Sequence, residues 1–211
     1  MIKFEHTDVY GFEAAIRGAR NAFNSWHLSD SGYRPSYVGK GDVYEIGDKD
    51  LALLMKLSKA GDDHGKYLRM ITVSVDIVAP TYWVAEHDTY KVGTVRNSCS
   101  FMHKGVSKPF ELSDFSIEGE VDDWWRNTIK ELNRLRDMYL ETKDESVFRQ
   151  IRQKLPSGYN PRYTWHANYS VLRKIYHARK HHRLPEWHKF CEWIESLPYS
   201  ELITVGKESK Q

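Results

Sequence analysis

GDDHGKYLRMITVSVDIVAPTYWVAEHDTYKVGTVRNSCSFMH, Gly61 to His103, is the stretch on which the fold turns. Between Tyr67 and Val78 the apolar residues Tyr67, Ile71, Val73, Val75 and Ile77 fall on one face, and Thr72, Ser74 and Asp76 fall opposite. That period of two predicts a half-buried strand. Pro80 has no N–H to donate and suits the first turn of a helix, which Tyr82 to Tyr90 can continue. Gly93 and Gly105 then bracket a loop.

Outward from this strand the pattern becomes helical. On the N-terminal side Thr7 or Asp8 can cap a helix whose Val9, Phe12, Ile16, Ala19 and Phe23 recur at three and four, reaching about Ser25. Ser29 to Gly47 reads as loop with a short strand near Val43 to Ile46, and Leu51 to Leu57 as a short helix ended by Gly61. On the C-terminal side an apolar stripe through Trp124 or Trp125, Ile129, Leu132, Leu135 and Tyr139 predicts a long helix from Val121 to Glu141. Helices over Glu145 to Lys154, Ala167 to His182 and Pro185 to Ser196 follow. The chain reads as one α+β domain spanning 1–211, without repeat or linker.

Composition bounds the function. With 211 residues, 40% hydrophobic and 28% charged, the chain can bury roughly 70% of its unfolded surface. There is no run of about 18 apolar residues to span a membrane, and MIKFEHTDVYGFE has neither the basic nor the apolar region of a secretory signal. Cys99 and Cys191 have no framework spacing. A soluble, reduced, cytoplasmic setting is therefore expected.

The net charge of +2 is unevenly spread. Between Ser146 and Pro185 there is no Asp or Glu, while nine cations occur: Arg149, Arg152, Lys154, Arg162, Arg173, Lys174, Arg179, Lys180 and Arg183. Such a segment favours an anionic partner. On the helix predicted there, Asn168, Leu172, Ile175 and Arg179 share a face, which reads either as a core helix with snorkelling cations or as a nucleotide site. His177 and His181 stand at i, i+4, but the cations around them disfavour a metal dication. Neither cysteine nor any serine sits in a nucleophile elbow.

The quoted stretch resembles the flavin-dependent thymidylate synthases. That family shows an early His, an Ala-Pro helix start, a Gln and the signature RHRxxSxNxxSxRY, and this chain keeps the order with one inserted residue near Arg96. His64 falls on the early His, Pro80 on the helix-start Pro, Thr94 on the first signature Ser, Asn97 on the Asn and Ser100 on the second Ser. A second block, IRQKLPSGYNPRYTWHANYSVLRKIYHAR from Ile151 to Arg179, matches the family's AR-x-x-LP segment, strand, Asn-rich helix start and distal Arg through Arg152, Leu155, Pro156, Asn168, Leu172 and Arg179.

The resemblance implies an antiparallel-rich sheet flanked by helices, FAD as cofactor, a pyrimidine nucleotide as substrate, and a homotetramer whose sites draw on several subunits. It implies dUMP-to-dTMP methylation or a close variant, with hydride from reduced FAD and with NADPH and a methylene-folate as co-substrates. By the same carry-over Arg179 and His64 serve catalysis. Lys91, Thr94, Asn97, Asn168 and Lys174 hold the flavin, and Glu86, Ser100, Arg152 and Arg179 hold the nucleotide; outside the carry-over, the inserted Arg96 on the nucleotide side and Arg183 on the flavin side add cations that can compensate for those the motif has lost.

The departures are equally specific. Thr89, Tyr90 and Lys91 replace the RHR triplet, Glu86 replaces the Gln, Met102 the final signature Arg, and Arg69 and Met70 the Glu-His after the early His. A carboxylate at Glu86 cannot donate the amide hydrogen bond and repels phosphate. Two further readings therefore stay open: a family-fold protein that has lost the reaction and binds a nucleotide, and a nucleic-acid binder using the basic segment with Trp165 and Tyr169 for stacking.

Overall fold

The computed structural model describes residues 2–35 and 41–206, and of Met102 and His103 the backbone alone. In chain order the elements are β1 (Lys3–Tyr10), α1 (Phe12–Asn21), β2 (Gly32–Pro35), β3 (Asp42–Glu45), α2 (Asp48–Lys59), β4 (Thr72–Val78), α3 (Thr81–His87), β5 (Val95–Ser98), α4 (Phe101–Lys104), α5 (Asp123–Thr142), α6 (Glu145–Lys154), β6 (Arg162–Asn168), α7 (Tyr169–Arg179), α8 (Pro185–Glu195) and α9 (Glu201–Thr204). Four strands form a sheet in the order β1-β4-β6-β5, and β2 pairs antiparallel with β3, Gly32 opposite Glu45. Among the described residues no helix is long and apolar enough to cross a membrane.

The predicted strand is β4. Its alternation is complete: Val73, Val75 and Ile77 are fully buried, while Thr72, Ser74 and Asp76 are half-buried. Tyr67 lies instead in a 3-10 turn, Gly65–Arg69. The first helix differs from expectation: Thr7, Asp8 and Val9 belong to β1, and α1 starts only at Phe12. Gly11, at φ +98°, makes that break, because a Cβ there would overlap the Met70 carbonyl. The apolar spacing at Val9 matched a helix, but sheet pairing took those residues.

The chain divides into two compact units. The first comprises the N-terminal residues through Glu5, Asp76–Thr89 and Arg96–Thr164; the second comprises His6–Val75, Tyr90–Val95 and the chain from Trp165 onward. In the first unit α5 and α6 pack together over Leu132, Leu135, Val147, Phe148 and Ile151, joined by Val106, Phe110 and Phe115. Asp122 caps α5 through the Trp125 amide, and Asp144 caps α6 through the Ser146 amide, satisfying donors that helix starts leave open. Across the strands of this unit Asp76 accepts from Thr164 Oγ1 at 2.6 Å and from Arg162 at 3.3 Å, and Arg162 also reaches Glu5.

In the second unit α7 packs on α8 and α9, with Leu172, Ile175, Trp187, Phe190, Ile194, Leu202 and Ile203 fully buried. A buried ion pair ties α1 to α2: Arg20 Nε donates to Asp50 Oδ1 at 2.7 Å, and Asp50 also accepts from the Ser29 and Ser31 hydroxyls, each at 2.6 Å. Burial alone would raise the Asp50 pKa, but the hydrogen bonds from Ser29, Ser31 and Arg20 outweigh it and hold the carboxyl below its ordinary value.

Candidate functional site

Within the first unit the turn Ser157–Pro161 suspends the start of α3: Thr81 N donates to Tyr159 O at 2.9 Å and Tyr82 N to Ser157 O at 3.1 Å. This fixes α3 against the turn that follows α6, beside a cleft of about 620 Å³. That volume lies within the range of small-molecule sites, roughly 300–1,000 Å³. Arg96, Ser98, Cys99 and Ser100 line one part of it, Thr81 and Asp88 of the α3 segment another, and Arg152 with Tyr159 a third. Three of the nucleotide-binding residues expected from sequence, Arg96, Ser100 and Arg152, thus meet in one cavity.

The two guanidinium groups are held differently. Arg96 lies 4.1 Å from the centroid of the Tyr163 ring and ion-pairs with Asp88. Its Nε has no hydrogen-bond partner among the described residues. Arg152 lies 4.9 Å over the Phe101 ring, and no carboxylate pairs with it among the described residues. Behind Arg96, His87 stacks on Trp83 at 4.7 Å and has Nδ1 3.3 Å from the Tyr163 hydroxyl. Burial first, and then the Arg96 charge, lower the His87 pKa to about 3, so this imidazole is neutral near pH 7. Glu86, half-buried on α3, is not among the cleft-lining residues; Asn97 is exposed on β5.

The second unit holds Arg179, His64, Lys91, Thr94, Asn168, Lys174 and Arg183. Asn168 caps α7, its Oδ1 accepting from Val171 N at 3.1 Å. At the other end of α7, Arg179 Nε donates to the Tyr90 hydroxyl at 2.8 Å, and the guanidinium lies 4.7 Å over the Trp187 ring. Tyr90 stands at the middle of the lost RHR triplet, so the sequence marked its position but not its role. The loop from Tyr90 folds back on itself: Thr94 Oγ1 donates to the Tyr90 carbonyl at 2.9 Å. Gly93, at φ +78°, sets the loop close to Val171 and Asn168. Lys91, Lys174, Arg183 and His64 are exposed.

The basic segment is less of a field than its composition suggests. Lys154 pairs with Glu131, and Arg162 pairs with Glu5 and Asp76. Arg173 is buried. The stacking residues expected for nucleic acid are a correction: Trp165 is 2% exposed and Tyr169 is fully buried, so neither can stack on a base. Sequence reasoning also passed over Asp88, Ser98, Cys99 and Tyr159, which line the cleft without matching any motif. The side chain of Met102 lies outside the described residues. Among the described residues no group of His, Cys, Asp or Glu is arranged to hold a metal ion.

This α+β arrangement, mixing helices with antiparallel sheet, is the fold of the flavin-dependent thymidylate synthases. Thymidylate synthase X (ThyX) from Helicobacter pylori, solved with FAD and dUMP, superposes with a TM-score of 0.69 at 14% identity, covering 96% of each chain. The UMP/dUMP methylase PolB from Streptomyces cacaoi, bound to 5-bromo-dUMP, superposes with a TM-score of 0.60 at 15% identity over 97% of this chain and 95% of the other. No protein-family model matches the sequence, and no curated protein matches it.

Proposed function

We propose that this chain is a flavin-dependent pyrimidine-nucleotide methyltransferase, converting dUMP to dTMP or carrying out a close variant. The observation that carries the reading is the first-unit cleft, where Arg96 and Arg152, distant in sequence, line one cavity with Ser98 and Ser100. Two guanidinium groups and two hydroxyls suit a phosphate and a ribose, since guanidinium forks match phosphate geometry and hydroxyls both donate and accept. The crystallised ligands of the structural neighbours, dUMP and 5-bromo-dUMP, support the same substrate class.

The residues expected to hold FAD fit an anionic dinucleotide in chemistry. Lys91, Lys174 and Arg183 are exposed and without ion-pair partners among the described residues, and Gly93 brings backbone close to the capped start of α7. When bound, reduced flavin supplies hydride, with NADPH and a methylene-folate as co-substrates. The chain's own part is to orient and polarise. In the first unit Arg152, Ser100 and Arg96 hold the nucleotide; in the second, His64, Asn168 and Thr94 line the flavin, and Tyr90 positions Arg179, the arginine that the resemblance gives to the pyrimidine carbonyl. The homotetramer, with subunits sharing sites, and a cytoplasmic setting complete the reading; light scattering of the purified protein reads the assembly directly.

A second reading, nucleotide binding without turnover, is favoured by one observation. Thr89 and Tyr90 stand where the family's RHR triplet has two of its cations, so only Lys91 keeps its charge there. The absorbance spectrum of the purified protein separates the two. Bound yellow flavin, together with dUMP binding that Arg152→Ala weakens, supports the enzyme. A colourless protein that ignores added FAD but binds dUMP supports the second reading.

A further inference from the structure

A groove of about 1080 Å³ in the second unit is lined by none of the residues given to the nucleotide or the flavin. Its walls are the end of β1 with the start of α1, the β2–β3 hairpin, and the turn at Pro198 and Tyr199. The surface is aromatic. Tyr10 on β1 is 63% exposed and Tyr33 on β2 is 61% exposed. Tyr44 meets Tyr33 edge to face at 5.1 Å, and Tyr199 meets Phe12 in the same way at 5.2 Å. Around these rings stand the exposed carboxylates of Asp8, Glu13, Asp42 and Glu45, against one lining cation, Arg17. Arg17 lies 3.4 Å from Glu13, which also accepts from the Tyr33 hydroxyl at 3.2 Å, and Glu45 has Arg34 at 4.0 Å. Asp8 and Asp42 have no ion-pair partner among the described residues.

We infer that this groove docks an extended basic segment of a partner protein, in which cationic side chains alternate with apolar ones. Charge decides the sign of the partner. Four carboxylates against one guanidinium attract cations and repel phosphates. The rings suit the same partner, because a guanidinium or ammonium is attracted to the face of a tyrosine, while Val9, Val43 and Pro198 offer apolar surface to the side chains between. Size decides its form. The groove exceeds the roughly 300–1,000 Å³ of sites that enclose one small molecule. All of β3, Asp42 to Glu45, lines it, and a strand of that length runs roughly 13 Å, the span of about four extended residues. β1 ends its sheet, and an end strand is where an extended peptide can lie. The inference does not depend on the nucleotide reading.

The test titrates the full chain into a dye-labelled peptide of alternating arginine and leucine, about six residues long, and follows fluorescence polarisation. Saturable binding is expected, weakening as salt rises from roughly 0.05 to 0.3 M. Asp8→Asn and Asp42→Asn should each weaken it about two- to fivefold, the range for an exposed charge, and Arg17→Ala should tighten it by a similar factor. Tyr33→Leu keeps apolar bulk but loses the ring face, and should weaken it about two- to fivefold. All four positions are exposed, so the variants should fold. Arg152→Ala, in the nucleotide cleft, should leave binding unchanged. No saturable binding, equal binding of a peptide with glutamate in place of arginine, or Asp8→Asn and Arg17→Ala moving affinity the same way overturns the inference. Displacement by spermidine at the peptide's own concentration would make the groove a small-cation site instead. Light scattering that shows peptide binding lost as the protein self-associates would give the groove to a second copy of the chain, and would equally overturn it.

Discussion

Acidification should destabilise this protein through one buried histidine. His87 is 1% exposed, stacked on Trp83 and beside the Tyr163 hydroxyl. Burial, reinforced by Arg96, takes its pKa from 6.5 to about 3. Below pH 6.5 the unfolded chain binds a proton at this site that the folded chain refuses. The stability that goes with neutral His87 is therefore complete above pH 6.5 and is lost as the pH falls toward 3. Each pH unit in that window is worth ~1.4 kcal/mol, so acidification to about pH 5 should cost ~2 kcal/mol at this position. The chain has ten histidines, so the measurement must be a difference. Urea unfolding of wild type and His87→Phe, compared between about pH 7.5 and about pH 5, isolates the site, because phenylalanine keeps a flat ring against Trp83 and cannot titrate. The variant should be the less stable at the upper pH, where Tyr163 loses its partner, and the gap should close by ~2 kcal/mol toward the lower. Parallel stability curves would refute the reasoning.

Three other outcomes follow from the same geometry. Asp50→Ala leaves Arg20 buried without its partner and should destabilise the fold by about 3–5 kcal/mol in denaturant titrations. Because the Asp50 pKa is lowered, the wild-type advantage should hold above the ordinary carboxylate range and fade as the pH falls through it. Gly11→Ala forces a side chain into a left-handed backbone and onto the Met70 carbonyl, and should lower stability by about 2–4 kcal/mol, read as a fall in melting temperature. Arg179→Lys keeps the charge but loses both the Nε bond to Tyr90 and the planar fork. Calorimetry with dUMP, dTMP and dAMP should show weakened pyrimidine binding and little change for the purine; equal losses for all three would remove Arg179 from the nucleotide site.

What the sequence determined by itself was whatever depends on neighbours along the chain. β4 was legible because each second residue must face the core, and α6 was predicted with its observed bounds because its pattern ends before Pro156; the structure adds the cap from Asp144. Spacing also brought Ser100 and Arg152 forward through the resemblance, and Arg96 as the residue inserted beside them, before any cavity was known. Tertiary structure decided the rest. Val9 has helical spacing, but hydrogen bonding in the sheet made it part of β1. Trp165 and Tyr169, plausible as stacking surfaces in a basic segment, were taken by the core. The charge of that segment was divided among distant carboxylates, since Glu5, Asp76 and Glu131 come from other parts of the chain. Tyr90 looked like an erosion of a motif, yet its hydroxyl is what Arg179 holds. Local patterns record which face a side chain turns, whereas burial and pairing depend on which remote segment meets that face, and composition carries no trace of that meeting.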